Sequence, residues 1–139
     1  MQVLTIEDLR AFLVAEFSQV ADEFDLLRLT PDGIEVKLNV GDRHLRPGGT
    51  VSGPTMFSLA DVAIYLAILA RIGPVALAVT TSASIDFLRK PAAGVDLVAT
   101  ARILKLGRVL AVGDVLIYSE GGTDPVARAS MTYSIPPGR

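Results

Sequence analysis

The chain has 139 residues, half of them hydrophobic and a fifth charged, with a formal net charge of −2 at pH 7. This length and composition fit one domain over residues 1–139 and exclude a disordered chain, while the weak negative charge argues against nucleic acid as a partner. The absence of cysteine excludes disulfides and thiolate metal sites, and the single His44 is too little for a multi-histidine metal centre or a Ser-His-Asp triad, so we expect neither a metal nor a cofactor.

The N-terminal segment predicts an amphipathic helix. Thr5 and Asp8 have the three-residue spacing of a capping box, and apolar residues follow at helical spacing. The segment lacks the basic start and the apolar core of a signal peptide, so we expect a cytoplasmic location. After the helix, residues 24–29 predict a short strand, residues 30–33 predict a turn, and the alternation over residues 34–40 predicts a half-buried strand.

A glycine-rich loop over residues 46–53 leads into a long apolar helix that ends before Gly73. Ser52 is the predicted N-cap, and Pro54 occupies a first-turn position where a backbone N–H would lack an intrahelical acceptor anyway. Residues 55–70 are apolar nearly all round, so we expect a helix that is buried on every side.

The same apolar stretch raises the alternative of a membrane span over residues 59–79. Asp61 and Arg71 would each cost about 2.5–3.5 kcal/mol near the centre of a bilayer, and Gly73-Pro74 interrupts the run. A buried helix of a soluble domain fits the sequence better, so we expect no membrane partner.

Asp61 is the only charged residue between Thr55 and Ala70. A buried carboxylate is costly unless it is paired, hydrogen-bonded or used in chemistry. Its neighbours at helical spacing are Ser58 and Tyr65. Asp61 is therefore the main candidate catalytic residue, and the alternative is a structural acid held by hydrogen bonds.

Four segments after the helix alternate apolar and polar residues with the period of a β-strand, at residues 80–87, 95–103, 109–118 and 127–135. In the first of them, the predicted apolar face carries Thr81, Ala83, Ile85 and Phe87, and the predicted polar face carries Thr80, Ser82, Ser84 and Asp86. The connections between the four segments are short, so consecutive strands are predicted to be antiparallel neighbours. The expected architecture is α+β, with an N-terminal helix, one antiparallel sheet wrapped around one long central helix, and a frayed tail at residues 136–139.

The order of these elements and several short motifs resemble the hotdog-fold acyl-CoA thioesterases of the phenylacetate-pathway (PaaI-like) family, over residues 30–135. The matching residues are Gly49, Gly53 and Leu59-Ala60-Asp61 in the loop and helix, and Phe87-Leu88-Arg89-Lys90-Pro91, Gly94 and Gly107-Arg108 in the strands. The resemblance implies a hotdog fold and a small-molecule substrate, an acyl or aryl thioester of coenzyme A.

By position, the resemblance assigns catalytic roles to Asp61 and Gly53. Asp61 stands where the family has its general base or nucleophile, and the backbone N–H of Gly53 stands where the family polarises the thioester carbonyl. Three loop positions differ from the family, with Arg46 in place of Asn, Ser52 in place of His and Pro54 in place of the second Gly. We expect Ser52 to cap the helix and to help hold the attacking water. We expect Arg46 to point outward at the mouth of the pocket, and the alternative is an inward Arg46 that pairs with Asp61.

A second group of residues is predicted to bind the substrate. Arg89, Lys90 and Arg108 are candidates for contacts with the phosphates of a coenzyme A nucleotide. Thr81 and Ser82 belong to a polar strip, together with Thr80 and Ser84, that in related enzymes lies near the pantetheine arm or the active site of the partner subunit. The full set predicted to bind the substrate is Arg46, Ser58, Tyr65, Thr81, Ser82, Arg89, Lys90 and Arg108.

Two functions of different classes remain open from the sequence. The first is an acyl-CoA thioesterase. The alternative is a non-catalytic hotdog protein that binds an acyl thioester or another apolar ligand, and the altered loop favours it. The strand edges and apolar surface that one small sheet leaves uncovered predict a homodimer, the family resemblance implies a homotetramer, and active sites are expected at the subunit interface.

Overall fold

A computed structural model describes residues 2–75 and 77–137 of the chain. Its elements, in chain order, are α1 (Ile6–Glu16), β1 (Phe24–Thr30), β2 (Gly33–Leu38), α2 (Gly53–Ile72), β3 (Val79–Phe87), β4 (Leu97–Leu106), β5 (Leu110–Ser119) and β6 (Ala127–Ser134). Two short 3-10 helices lie at Ala21–Glu23 and Asp42–His44. Of the tail predicted at residues 136–139, the last two residues lie outside the described part.

The capping box predicted at the start of α1 is confirmed. Thr5 Oγ1 accepts a hydrogen bond from the backbone N–H of Asp8 at 3.1 Å, and a carboxylate oxygen of Asp8 accepts one from the backbone N–H of Thr5 at 2.9 Å. On the inner side of the helix, the ring of Phe12 lies 6.2 Å from the ring of Tyr65. This contact packs α1 against α2.

The strands form one six-stranded sheet in the order β1-β2-β4-β5-β6-β3, and all neighbouring strands are antiparallel. Small residues on its inner face let α2 approach the backbone closely, because an alanine projects only one methyl group. The buried alanines of the three strands from β4 to β6 are Ala99, Ala101, Ala111, Ala127 and Ala129. This sheet, packed against one long helix and preceded by α1, is the architecture that the hotdog resemblance implies.

The prediction that β3 and β4 are neighbours is wrong. β3 pairs with β6 at one edge of the sheet, and β4 pairs with β2 and β5 in the middle. The connecting segment, residues 88–96, runs across the end of the sheet, where the backbone N–H of Leu88 donates to the carbonyl of Val126 at 2.8 Å. Three strand spacings of about 4.8 Å separate the two strands, and an extended segment at about 3.3 Å per residue spans that distance. In the sequence, proline and glycine mark only residues 91–94 as a connection. A connection of that length would join only adjacent strands, and this is why the prediction was wrong.

α2 begins and ends where the sequence predicts. Ser52 Oγ accepts a hydrogen bond from the backbone N–H of Thr55 at 3.3 Å, as an N-cap does, and the helix ends at Gly73. The expectation of burial on every side is wrong, because Phe57 and Ser58 are exposed and Asp61 is half-buried. The sheet curves around the rest of the helix and leaves this strip open.

By length and composition α2 is able to cross a lipid bilayer, but 61% of its apolar stretch is buried within the chain. The core helix of a soluble protein passes the same test, so this property is weak evidence for a membrane. The packing of α2 on the sheet explains its apolar composition without a bilayer.

β3 is an edge strand that is open on both faces. Val79 and Phe87, near its two ends, are 55% and 53% exposed. Only Thr80 and Ile85 are even half-buried among its residues. The prediction of one covered apolar face therefore holds for β4, β5 and β6. For β3 it is wrong, because no element among the described residues of the same chain covers either face of this strand.

A bulge in β3 changes which side chains point inward. Ser82 lies opposite Thr132 of β6, but Thr80 lies opposite Tyr133, so the register shifts by one residue between Thr80 and Ser82. Thr81 is the extra residue of this bulge. Thr80 consequently shares the inner face with Tyr133, and its predicted place on the polar face is wrong.

Candidate active site

The side chain of Asp61 lines a cavity of about 310 Å³ between the end of α1, the middle of α2 and the start of β3. Among the described residues, its carboxylate is the only charged group in the lining, and three aromatic rings form much of the wall. The lining residues are Phe17, Asp61, Val62, Tyr65, Ala78, Val79, Thr80 and Tyr133. The cavity therefore offers one acid against an otherwise largely apolar surface.

Two hydroxyl groups hold one oxygen of the Asp61 carboxylate. Thr80 Oγ1 donates a hydrogen bond to Asp61 Oδ1 at 2.6 Å, and the hydroxyl of Tyr133 donates to the same oxygen. Tyr133 Oη also lies 2.8 Å from the backbone carbonyl oxygen of Asp61. No donor within residues 2–75 and 77–137 hydrogen-bonds Oδ2. The two carboxylate oxygens thus have different surroundings, since Oδ1 accepts two hydrogen bonds from side chains and Oδ2 accepts none from the described residues.

Burial keeps the two tyrosines of the cavity protonated. It raises the pKa of Tyr133, and the hydrogen bond to Asp61 raises that pKa further. Burial also raises the pKa of Tyr65 to about 12, with a smaller contribution from the negative charge of Glu16. Both phenols are therefore neutral at pH 7, and the Tyr133 hydroxyl remains a donor.

The aromatic wall is continuous from α1 to β6. The rings of Phe17 and Tyr65 meet edge to face with centroids 5.8 Å apart, and the rings of Tyr65 and Tyr133 lie 6.2 Å apart. Such pairs are favourable beyond the apolar area they bury. The wall gives the acid a water-poor flank and an apolar surface on which an acyl group can lie.

The glycine-rich loop is fixed before it enters α2. Gly48 and Gly49 have φ values of 103° and 83°, a region that side chains disfavour, and they close a tight turn. At the base of the turn, the N–H of Arg46 donates to the carbonyl of Thr50 at 2.8 Å. The N–H of Ser52 donates to the carbonyl of His44 at 2.9 Å. These bonds fix the position of the first turn of α2.

His44 supports this loop from inside the protein. Its side chain is buried, with Nε2 2.7 Å from a carboxylate oxygen of Glu23 and Nδ1 accepting the N–H of Gly41 at 2.8 Å. Because Nδ1 accepts, Nε2 carries the proton and donates to Glu23. His44 therefore anchors the loop and does not reach the cavity of Asp61.

A groove of about 680 Å³ lies at the N-terminus of α2. Gly53 lines it, and its N–H is one of the first-turn amides that have no intrahelical acceptor. A Cβ at Gly53 would lie 3.0 Å from the ring of Phe87, so glycine lets the ring approach the backbone. Ser52 lines the same groove, but its hydroxyl caps α2 and donates to Thr55 Oγ1 at 2.9 Å.

Three cationic side chains surround this groove. Arg46, Arg89 and Lys90 all line it and are exposed. Arg89 also lies 3.3 Å from a carboxylate oxygen of Asp124. Arg46 forms no ion pair with Asp61 among the described residues. The groove therefore combines the N–H of Gly53 with positive charge, a combination that favours anions.

An exposed strip of α2 joins the groove to the cavity. Gly53 and Asp61 are two helical turns apart, or about 12 Å along the axis. Side chains on a helix lean toward its N-terminus, so the Asp61 carboxylate leans toward Gly53. Ser58, predicted to bind the substrate, lies exposed on this strip.

The remaining predicted residues lie elsewhere in the chain. Thr81 and Ser82 are exposed on β3 and line neither the groove nor the cavity. Arg108 lies in a separate depression beside Arg71 at the other end of α2, about 29 Å along the helix from Gly53. A single chain therefore does not bring Arg108 together with the other predicted residues.

The sequence analysis missed Phe17 and Tyr133, and it placed Thr80 in a polar strip without its contact to Asp61. The available signal was Tyr133, which falls on the apolar face of its strand. A tyrosine that points into a core needs a partner for its hydroxyl, and Asp61 is that partner. The contact of Thr80 gave no signal, because its inward direction depends on the bulge in β3.

The chain is similar to several known proteins. The sequence profile of a family described as the thioesterase superfamily matches residues 48–126. A candidate thioesterase from Silicibacter sp. TM1040 is 57% identical, with a TM-score of 0.92 over 99% of this chain and 95% of that chain. A mutant of the phenylacetic acid degradation protein PaaI from Thermus thermophilus is 31% identical, with a TM-score of 0.73 over 86% of this chain and 99% of that chain.

A more distant likeness concerns the fold alone. A hypothetical thioesterase from Streptococcus pneumoniae, solved with coenzyme A, is 21% identical, with a TM-score of 0.73 over 95% of this chain and 97% of that chain. No curated protein sequence matches the chain. The family match and the thioesterases among the similar structures support thioesterase activity. The chain belongs to the thioesterase superfamily, and its resemblance to the PaaI-like hotdog thioesterases is confirmed.

Proposed function

We propose that the protein is an acyl-CoA thioesterase that hydrolyses an acyl or aryl thioester, with Asp61 as general base or nucleophile. The observation that carries the proposal is the Asp61 carboxylate, which lines a largely apolar cavity and has one oxygen held by two hydroxyls. A carboxylate oriented in this way can act on a thioester carbonyl, or on a water molecule beside it.

The proposed reaction uses the N-terminus of α2 together with Asp61. Gly53 and Asp61 of one chain lie about 12 Å apart along α2, so the proposed site combines Gly53 of one subunit with Asp61 of the partner subunit. The N–H of Gly53 polarises the thioester carbonyl and stabilises the negative charge that develops on its oxygen. As a base, Asp61 takes a proton from water while the water oxygen bonds to the carbonyl carbon, and Ser52 helps to hold that water. As a nucleophile, Asp61 bonds to the carbon itself, and water then opens the resulting anhydride. In both routes the C–S bond breaks and the thiolate leaves and takes up a proton.

The cationic groove supports coenzyme A as the leaving group. Its phosphates would meet Arg46, Arg89 and Lys90 of the subunit that supplies Gly53, while the pantetheine arm carries the thioester to Asp61 of the partner subunit. A structural relative of the same fold was solved with coenzyme A. The apolar cavity then receives the acyl group.

We expect the double substitution Arg89→Ala with Lys90→Ala to raise KM for an acyl-CoA by about tenfold while leaving kcat within about twofold, because charged contacts to phosphate are lost far from the reacting carbon. The matched substrate is the same acyl group on N-acetylcysteamine, which has no nucleotide phosphates, and its KM should not change. Arg28→Ala, at the opposite edge of the sheet, is the control variant. An equal rise in KM for both substrates would contradict the assignment of these residues to phosphate.

The proposed assembly is a homodimer joined along β3. This strand has an unpaired edge and is open on both faces, and the exposed strip of α2 lies beside it. Exposed apolar side chains at Val79, Phe87 and Leu88 add to the surface that a second subunit would cover. Such an interface would close the groove and the cavity from the open side.

We expect the protein to sediment as a homodimer or a homotetramer at micromolar concentration. Ala83 is the middle residue of β3, so antiparallel pairing of two β3 strands about their centres would place two copies of it opposite each other. Ala83→Asp would then oppose two negative charges and shift the protein toward monomer, with a loss of activity. Ala11→Asp, on the exposed face of α1, is the control and should not change the sedimentation. A stable monomer for the unmodified protein would contradict the assembly.

The direct test of the proposed function is incubation with a panel of acyl- and aryl-CoA thioesters, with a thiol-reactive dye to detect released coenzyme A. Turnover of any member supports the hydrolase. The alternative, a non-catalytic binding protein, is favoured by the loop residues Arg46, Ser52 and Pro54, which replace the residues of the related enzymes. Saturable binding without thiol release would support that alternative.

A further inference from the structure

Tyr133 lies on β6, where its phenol packs against the middle of α2. Its flanking residues, Thr132 and Ser134, are half-buried, whereas Tyr133 is 2% exposed. Its ring packs against Tyr65, and its hydroxyl meets the carboxylate and the backbone carbonyl of Asp61. The Tyr133 hydroxyl thus lies within hydrogen-bonding distance of two oxygens of Asp61, one in its side chain and one in its backbone.

Thr80 completes this arrangement from the neighbouring strand. Thr80 and Tyr133 are direct cross-strand partners, and both donate to Asp61 Oδ1. The bulge at Thr81 is what turns Thr80 inward to this position. An irregularity of the strand therefore brings a second donor to the oxygen that Tyr133 already holds.

We propose that Tyr133 is a positioning residue for hydrolysis, which holds Oδ1 of Asp61 so that Oδ2 alone faces the thioester and the water. This inference rests on the proposed function. Hydrogen bonds from two hydroxyls to one oxygen restrict the rotation of the carboxylate. The carboxylate is thereby kept in one orientation.

The hydroxyl of Tyr133 remains a hydrogen-bond donor to Asp61 at neutral and mildly alkaline pH. Tyr133 faces it from β6, Tyr65 lies one turn further along α2, and Glu16 at the end of α1 acts on Tyr65. Burial raises the pKa of Tyr133 above its ordinary value, so the phenol stays a donor through neutral and mildly alkaline pH. No lysine, arginine or histidine lines the cavity among the residues that the structure describes.

The test is the substitution Tyr133→Phe, which keeps the ring and its packing and removes only the hydroxyl. With an acyl-CoA that the unmodified protein hydrolyses, we expect kcat to fall by about 10- to 100-fold with KM within about twofold, because the base is misdirected while the substrate contacts remain. Tyr118→Phe on β5 is the matched control and should behave as the unmodified protein.

A second measurement does not depend on turnover. In protein labelled with ¹³C at the aspartate carboxyl groups, the Asp61 resonance, assigned by its absence in Asp61→Asn, should shift in Tyr133→Phe and stay in place in Tyr118→Phe. An unchanged resonance, or an unchanged kcat in an active protein, would overturn the inference. If the unmodified protein shows no turnover while the resonance shifts, the hold on the carboxylate stands, and hydrolysis is what fails.

Discussion

Asp61→Asn is expected to lower the rate of thioester hydrolysis by about 10²- to 10⁴-fold, the usual effect of losing a positioned base. The amide oxygen of asparagine can still accept the hydrogen bonds that Thr80 and Tyr133 donate to Oδ1. Its amide nitrogen then occupies the place of Oδ2, where it can neither take a proton nor attack a carbonyl. The substitution therefore removes the chemistry and keeps the contacts.

The measurement is kcat for the purified variant, with thermal unfolding followed by circular dichroism to show that the fold is kept. Asp114→Asn is the matched control, because Asp114 lies on the outer face of the sheet and pairs with Arg102 at 3.0 Å. Its kcat should equal that of the unmodified protein. Hydrolysis at the unmodified rate in Asp61→Asn would show that Asp61 is a structural acid.

Gly33→Ala is expected to lower the free energy of unfolding by about 3 kcal/mol or more, at the upper end of the cost of overpacking. Gly33 begins β2 and lies against β4. A Cβ built on it would lie 1.7 Å from the carbonyl oxygen of Ala101 and 2.8 Å from the Cα of Arg102. Both obstacles are backbone atoms, so no side chain can move to relieve the clash.

Urea denaturation of Gly33→Ala and of the unmodified protein gives the difference in their free energies of unfolding. Gly41→Ala is the matched control, because its backbone has a φ of −127° and the nearest obstacle to a Cβ is His44 Nδ1 at 3.9 Å. That variant should differ from the unmodified protein by less than about 1 kcal/mol. Equal stability of Gly33→Ala and the unmodified protein would mean that β2 and β4 do not approach as closely as the structure has them.

Short-range signals in the sequence were sufficient to predict the helices and strands of the fold. The capping box at Thr5, the cap at Ser52 and the stop at Gly73 are determined by short-range contacts, and each lies where the sequence predicts it. The strands follow from a period of two that burial on one face imposes. Together with the resemblance in the loop and helix, these signals also predicted the fold class and singled out Asp61 as the candidate catalytic residue.

The order of the strands was beyond these signals. The short connection at residues 91–94 predicted adjacent strands, yet β3 and β4 are separated by β5 and β6. Strand order depends on which apolar faces together enclose α2, and that is a property of the whole sheet. In the same way, Arg89 and Arg108 look alike in the sequence, but only the fold separates them to opposite ends of α2.

The surroundings of Asp61 were decided by tertiary structure alone. The sequence determined that one acid lies in the middle of an apolar helix, because a charge among apolar residues is visible without any knowledge of contacts. It could not determine that Thr80 and Tyr133 meet this acid, since they lie far from each other in the sequence and Thr80 falls on the polar face of its predicted strand. The bulge at Thr81 reverses that face. A one-residue shift in pairing changes no local propensity but redirects a side chain from solvent to the carboxylate, and so the two hydroxyls reach Asp61 only in the folded sheet.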